Sequence, residues 1–210
     1  MRSILAWALV NALFASYSAA QGLPAAYPTK PIRIIVPFAP GGPADMIARP
    51  VGQALTESWG QQVIVDHRAG AGGTIGAELL AKSAPDGYTL MITTPGIVAV
   101  SPALHGKLGY DTLRDFAGVT NAVTSANIMV VHPALPASSV TDLIRIARAR
   151  PGQMTYASAG NGSASHLGTE MFKSMAKVNI VHVPYKGAAP GVIDLIGGHV
   201  QLMIIGIPVA

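Results

Sequence analysis

Three stretches of this chain place glycine among small residues just after an apolar run: Phe38-Ala39-Pro40-Gly41-Gly42, Arg68-Ala69-Gly70-Ala71-Gly72-Gly73 and Ser158-Ala159-Gly160-Asn161-Gly162-Ser163. Each is expected to turn from a strand into a helix. The first turn of a helix has N–H groups without carbonyl partners and carries partial positive charge, and glycine lets a ligand approach the backbone closely. The chemistry on offer is the binding of an anion. Asp45 falls near the third position of the helix after the first turn, where its carboxylate complements the helix dipole and can tie down Pro40–Gly42. Arg68, beside the second glycine turn, and Tyr185 with Lys186, at the end of a strand, are the polar side chains best placed to meet a small anion.

The glycines match no nucleotide signature. Gly70, Gly72 and Gly76 miss G-x-G-x-x-G by one residue, and no turn ends in Gly-Lys-Ser/Thr. No serine lies in G-x-S-x-G and no H-E-x-x-H occurs, so hydrolase patterns are absent. His166 and Glu170 stand four apart on one helical face, but no third metal ligand is near them, and a helix-surface pairing is expected. His67, His105, His132, His182 and His199 show no ligand spacing. No metal or cofactor is therefore expected.

The elements that hold these turns follow a regular order. From Ile32, short β-branched runs alternate with helical patterns, which indicates an α/β chain with a parallel sheet covered by helices. Strands are expected at Ile32–Phe38, Val63–Val65, Tyr88–Thr93, Met154–Ala157, Ile180–Val183 and Val200–Ile205. Pro43 suits the first helical position, Ile47, Val51, Leu55 and Trp59 form a stripe expected to be buried, and Gly60 closes that helix. A second glycine-led helix carries Leu79 and Leu80, and Pro85-Asp86-Gly87 makes the turn before the next strand. After Ser101 the pattern loosens through His105, Tyr110 and Asp115. Two apolar runs, Ala117–Val123 and Ile128–Val131, mark the expected crossover to a second domain. Ser139 and Asp142 have the spacing of a capping box ahead of Leu143, Ile144 and Ile146, and helices are expected over Ser165–Met175 and Ala188–Ile196.

The 210 residues include no cysteine, are 50% hydrophobic and only 11% charged. Disulfide scaffolds, thiolate metal sites and intrinsic disorder are excluded on those grounds. The formal charge of +4 is spread singly along the chain, with no basic stripe, so nucleic acid is not an expected partner. At the start, Arg2, the apolar Ile4–Ala15 and the small Ser18, Ala19 and Ala20 read as an export signal over residues 1–20, too short to span a bilayer. Residues 21–28 follow as a flexible lead-in, then an α/β domain over 29–125 and a second, incomplete one over 126–210.

The ordered motifs together resemble one family. They are Pro31-Ile32-Arg33-Ile34-Ile35-Val36-Pro37-Phe38-Ala39-Pro40-Gly41-Gly42 with Asp45, Arg68–Gly73, Ala84-Pro85-Asp86-Gly87-Tyr88-Thr89-Leu90, Tyr110-Asp111 with Asp115-Phe116, Tyr156–Gly162 with His166-Leu167, and His182-Val183-Pro184-Tyr185-Lys186-Gly187. This set is similar to the Bug receptors, the extracytoplasmic solute-binding proteins of tripartite tricarboxylate transporters. The resemblance implies a type II-like periplasmic binding protein fold, two α/β domains around a ligand cleft. It implies capture of a small carboxylate by domain closure, delivery to the membrane permease subunits, a periplasmic location and no catalysis.

Carried onto this chain, the first jaw is Phe38, Ala39, Pro40, Gly41 and Gly42 with Asp45, supported by Ala69, Gly70 and Thr93. The opposing jaw is Ser158, Ala159, Gly160, Asn161, Gly162 and Ser163, with His166 beneath and Tyr185 at the cleft wall. The chain departs from the family where His67-Arg68-Ala69 replaces a common Asn-Arg-Pro. At Ile204-Ile205-Gly206 a polar or acidic residue is frequent in the family, and its replacement favours a carboxylate without an amino group. Family members also run on further, so the second domain reads as truncated. The competing expectations are an exported enzyme using Ser158, Ser163 or His166, and a remnant that binds nothing.

Overall fold

The computed structural model describes residues 27–207. The expected export signal and most of the lead-in lie outside the described residues. Two sheets organise the chain. The first holds β1 (Ile32–Val36), β2 (Val63–His67) and β3 (Thr89–Met91) in the order β2-β1-β3, all parallel. Its central strand is buried almost throughout because helices cover both faces, which is why Ile32, Ile34, Ile35 and Val36 are all apolar.

Helix α1 (Pro43–Trp59) begins at Pro43 and ends on Gly60, whose φ of 66° is the left-handed conformation that closes a helix. Its buried face differs from the expected stripe. Ala44, Asp45, Ala48 and Gly52 are buried, whereas Ile47, Val51 and Leu55 are half-buried and Trp59 is exposed. Small residues let the helix lie close on β2: a Cβ added at Gly52 would already touch Val63 at 3.5 Å. Trp59 instead meets the Tyr27 ring edge-on at 6.0 Å.

A short 3-10 turn (Ala71–Gly73) leads into α2 (Thr74–Ala81). Beyond β3, a wide π-type turn (Gly96–Val100) runs into two short helices, α3 (Ser101–Leu104) and α4 (Thr112–Asp115). No periodic pattern announces this segment. It is anchored by Tyr110, whose hydroxyl donates to the Ile97 carbonyl at 2.7 Å, and by Asp111, which caps α4 by accepting from the Leu113 and Arg114 N–H groups.

The second sheet has the order β4-β7-β5-β6: β4 (Asn127–Val131), β5 (Thr155–Ser158), β6 (Val181–Pro184) and β7 (Leu202–Gly206). Three strands are parallel, but β4 runs antiparallel to β7, so the expected all-parallel arrangement is corrected here to a mixed sheet. Ala117–Val123 forms no strand; of the two apolar runs only the second does. Helix α5 (Val140–Ala149) starts on Ser139, whose Oγ accepts from the Asp142 N–H as its spacing required. It packs Leu143 and Ala147, with Phe172 from α6 (Ala164–Ala176), onto Tyr156, Ile180 and Leu202. On a separate core, α7 (Ala188–Ile196) sets Ala188 and Leu195 against Ala157, Met203 and Ile205. Among the described residues no helix is long and apolar enough to cross a membrane.

Candidate functional site

Glycine loops far apart in sequence meet along the line between the two sheets. A Cβ added at Gly72 would lie 2.1 Å from the Asn161 carbonyl oxygen, and one at Gly96 would lie 2.5 Å from that of Gly162. No side chain fits at either point. On the other flank the Ala39 N–H donates to the Lys186 carbonyl at 2.9 Å, and a Cβ at Gly187 would lie 2.8 Å from the Ala39 nitrogen. The first glycine loop therefore touches the start of α7, and the second touches the loop before α6.

The first loop is shaped by what removes its donors. Pro37, Pro40 and Pro43 carry no N–H. Ala39 is bonded across to Lys186, and the Gly41 N–H donates to Asp45 Oδ2 at 2.9 Å. Among the described residues, this leaves the N–H groups of Phe38, Gly42 and Ala44 without a protein acceptor. Asp45 is 4% exposed and accepts in addition from Arg49 Nε at 3.0 Å, with His67 Nε2 at 2.7 Å from Oδ1. Burial pushes its carboxyl up, but the Gly41 N–H, Arg49 and His67 outweigh that and hold it below the ordinary carboxylate range. The expected role of Asp45 as loop organiser thus has a specific geometry. No spacing in the sequence points to His67 for this part; its alignment with Asp45 depends on strand β2 lying beside α1.

In the opposing loop, side chains again account for particular amides. Ala159 N–H donates to Ser165 Oγ at 2.9 Å, Gly160 N–H to Ser158 Oγ at 3.1 Å and Gly162 N–H to His166 Nδ1 at 3.2 Å. Ser163 caps α6 by accepting from the His166 N–H. Among the described residues, the N–H groups of Asn161, Ala164 and Ser165 have no protein acceptor. Each loop thus offers three backbone donors next to a helix start. Such a pair of cradles can take the oxygens of a carboxylate without a charged side chain.

The remaining expected site residues divide. Gly70 is buried against Ile75, Ala69 is half-buried and Thr93 is exposed. Tyr185 turns its hydroxyl to Asp194 on α7, and burial together with that carboxylate pushes its phenol up to about 12. It can wall the cleft with its ring only. Arg68 is paired with Asp66, which also binds Arg33, so its charge is committed to the strand surface. Lys186 is exposed. Glu170 accepts from the Tyr156 hydroxyl at 2.6 Å and from Lys173, rather than pairing with His166. Among the described residues, no group of three or more His, Cys, Asp or Glu side chains could hold a metal.

Ser158 and His182 have the spacing of a nucleophile and its base, with Oγ and Nε2 2.6 Å apart. Ser158 is 0% exposed, however, and its Oγ also accepts from the Gly160 N–H.

The family model described as "tripartite tricarboxylate transporter family receptor" matches residues 47–210. BugT of Bordetella pertussis is 42% identical over 183 residues, covering 87% of this chain and 56% of BugT. Among solved structures, an R. palustris protein with adipate superposes with a TM-score of 0.82 at 42% identity, over 87% of this chain and 61% of that one. MatC from Rhodopseudomonas palustris, with bound malate, gives 0.81 at 29% identity, over 86% and 61%. The chain thus spans about 60% of the length of the proteins it matches. The family match and the identity to BugT agree: the chain belongs to the tripartite tricarboxylate transporter family of receptors, the Bug-type solute-binding proteins.

Proposed function

We propose that this protein is a periplasmic receptor that grips a small carboxylate between the Phe38–Gly42 and Ser158–Ser163 loops and hands it to the permease subunits of a tripartite transporter. The observation that carries this reading is that each donor-rich loop abuts a glycine turn from the half of the chain that holds the other sheet, Ala39 against Gly187 and Asn161 against Gly72. The two domains would be 29–125 and 126–210, and closure of one on the other would bring the cradles onto the same ligand. Phe38, Gly42, Ala44, Asn161, Ala164 and Ser165 would donate from the backbone, with the starts of α1 and α6 adding their dipoles. Asp45 would keep the first loop in shape, and the Tyr185 ring would close one wall. No chemical step is part of this mechanism.

Solved relatives with adipate and with malate support a dicarboxylate as the first ligand to test. Backbone donors recognise a carboxylate but not its skeleton, so the specificity would come from cleft length. Calorimetric titration with adipate, malate and a monocarboxylate control tests the reading. Saturable uptake of a dicarboxylate, weakened by Gly72→Ala, is expected; a folded chain with no uptake of any of the three would overturn it.

A further inference from the structure

His182, in the strand before the Tyr185 turn, has no part in the carboxylate grip just described, yet it lies directly under the second loop. Its Nε2 is 2.6 Å from Ser158 Oγ, and that same Oγ accepts the Gly160 N–H at 3.1 Å. A hydroxyl has one proton. Gly160 takes one of the two Oγ lone pairs, and in the tautomer with Nε2 unprotonated the hydroxyl proton goes to Nε2 of a neutral ring. The ring itself cannot rotate away: it stacks on Tyr156 at 4.7 Å on one side and on His166 at 4.4 Å on the other. His166 in turn accepts the Gly162 N–H. Two stacked imidazoles thus fix the two glycine amides that flank Asn161, one directly and one through Ser158.

We propose that His182 is a positioning residue for ligand capture, which as a neutral imidazole orients Ser158 and through it the Gly160 amide, so that the Asn161 donor faces the ligand. This rests on the reading of Ser158–Ser163 as a ligand loop. The titratable and charged groups around His182 are His166, Glu170 and Lys173 from α6 and Tyr156 from β5. Burial, helped by His166 and Lys173 and opposed by Glu170, depresses the ring to about 4, which keeps it neutral near pH 7. A protonated ring would turn Nε2 into a donor, remove the acceptor of the Ser158 proton and place a charge against His166. The loop would then lose its fixed amides in acid.

His182→Phe keeps the stack and removes the acceptor, Ser158→Ala removes the relay, and His182→Gln returns an acceptor at similar reach. Two readouts are taken on each: adipate affinity by calorimetry across pH 4–8, and hydrogen exchange of the Gly160 amide without ligand. Expected are a loss of about tenfold in adipate affinity for His182→Phe and for Ser158→Ala, no further loss in the double variant, and recovery in His182→Gln. Gly160 exchange should quicken about tenfold in both single variants. Wild-type affinity should fall from pH 5 toward pH 4 more steeply than that of His182→Gln. Unchanged Gly160 protection in a folded His182→Phe would overturn the positioning role. If wild type binds neither adipate nor malate, the receptor reading fails on its own; the exchange result then still decides whether His182 holds the loop.

Discussion

Gly41 and Asp45 are four residues apart, and the Gly41 N–H donates to Asp45 Oδ2 at 2.9 Å across the start of α1. The bond closes the first glycine loop on its own helix and needs φ of 82° at Gly41, a conformation that glycine adopts freely. Asp45 is buried and also serves Arg49 and His67. Asp45→Asn is expected to lower stability by about 1–3 kcal/mol, since a charged acceptor of three donors becomes a neutral one. Denaturant unfolding measures the loss, and adipate titration should show weaker binding alongside it.

The approach of Gly72 to Asn161 separates two roles of glycine. Gly72 and Gly60 have nearly equal φ, 64° and 66°, but a Cβ on Gly60 meets nothing within 4 Å. Gly60→Ala is expected to cost about 1 kcal/mol of backbone strain and leave ligand affinity unchanged. Gly72→Ala carries the same strain and also pushes the two loops apart, so its affinity should fall at least about tenfold. Thermal melts paired with calorimetry distinguish the two.

Acid should destabilise the fold in two windows. The His182 ring is depressed from 6.5 to about 4, chiefly by burial, so the unfolded chain binds a proton there that the folded chain refuses. Stability therefore falls as pH drops from about 6.5 to about 4, by at most about 3 kcal/mol. Asp45 is held below its usual range, so its contribution is present above the ordinary carboxylate value and is lost as pH falls through the depressed one. Urea midpoints measured from pH 7 down should decline more steeply in the first window for wild type than for His182→Gln, in which His166, also depressed by burial, still takes up a proton.

Tyr185→Phe isolates the cleft wall from the hydrogen bond behind it. The hydroxyl serves Asp194, so its removal should cost about 1–2 kcal/mol of stability while adipate affinity stays within about twofold. A large affinity loss without destabilisation would place the hydroxyl on the ligand instead.

How far the sequence reveals this fold depends on whether the signal is local. Helix α7 is expected at Ala188–Ile196 and stands there, Ser139 caps α5 from three residues away, and Pro43 and Gly60 bound α1. Each depends on neighbours within one or two turns. The buried face of α1 departs from the apolar stripe because close packing on β2 favours Ala44, Ala48 and Gly52 over larger apolar residues, and small residues leave little periodic signal. The direction of β4 follows from its pairing with β7, some 75 residues on, and no local pattern encodes that. At the site, the glycine loops and Asp45 are legible from type and spacing. His67 and His182 are not, since each reaches its partner only through strand pairing and helix packing.

The most direct test of carboxylate capture between the two loops is thermal unfolding of the chain with and without adipate and malate. Selective binding to the folded state should raise the melting temperature with ligand concentration, by about 2.7 kcal/mol of added stability at a hundredfold excess over Kd. A cooperative transition that does not move with either dicarboxylate up to millimolar concentration would contradict it.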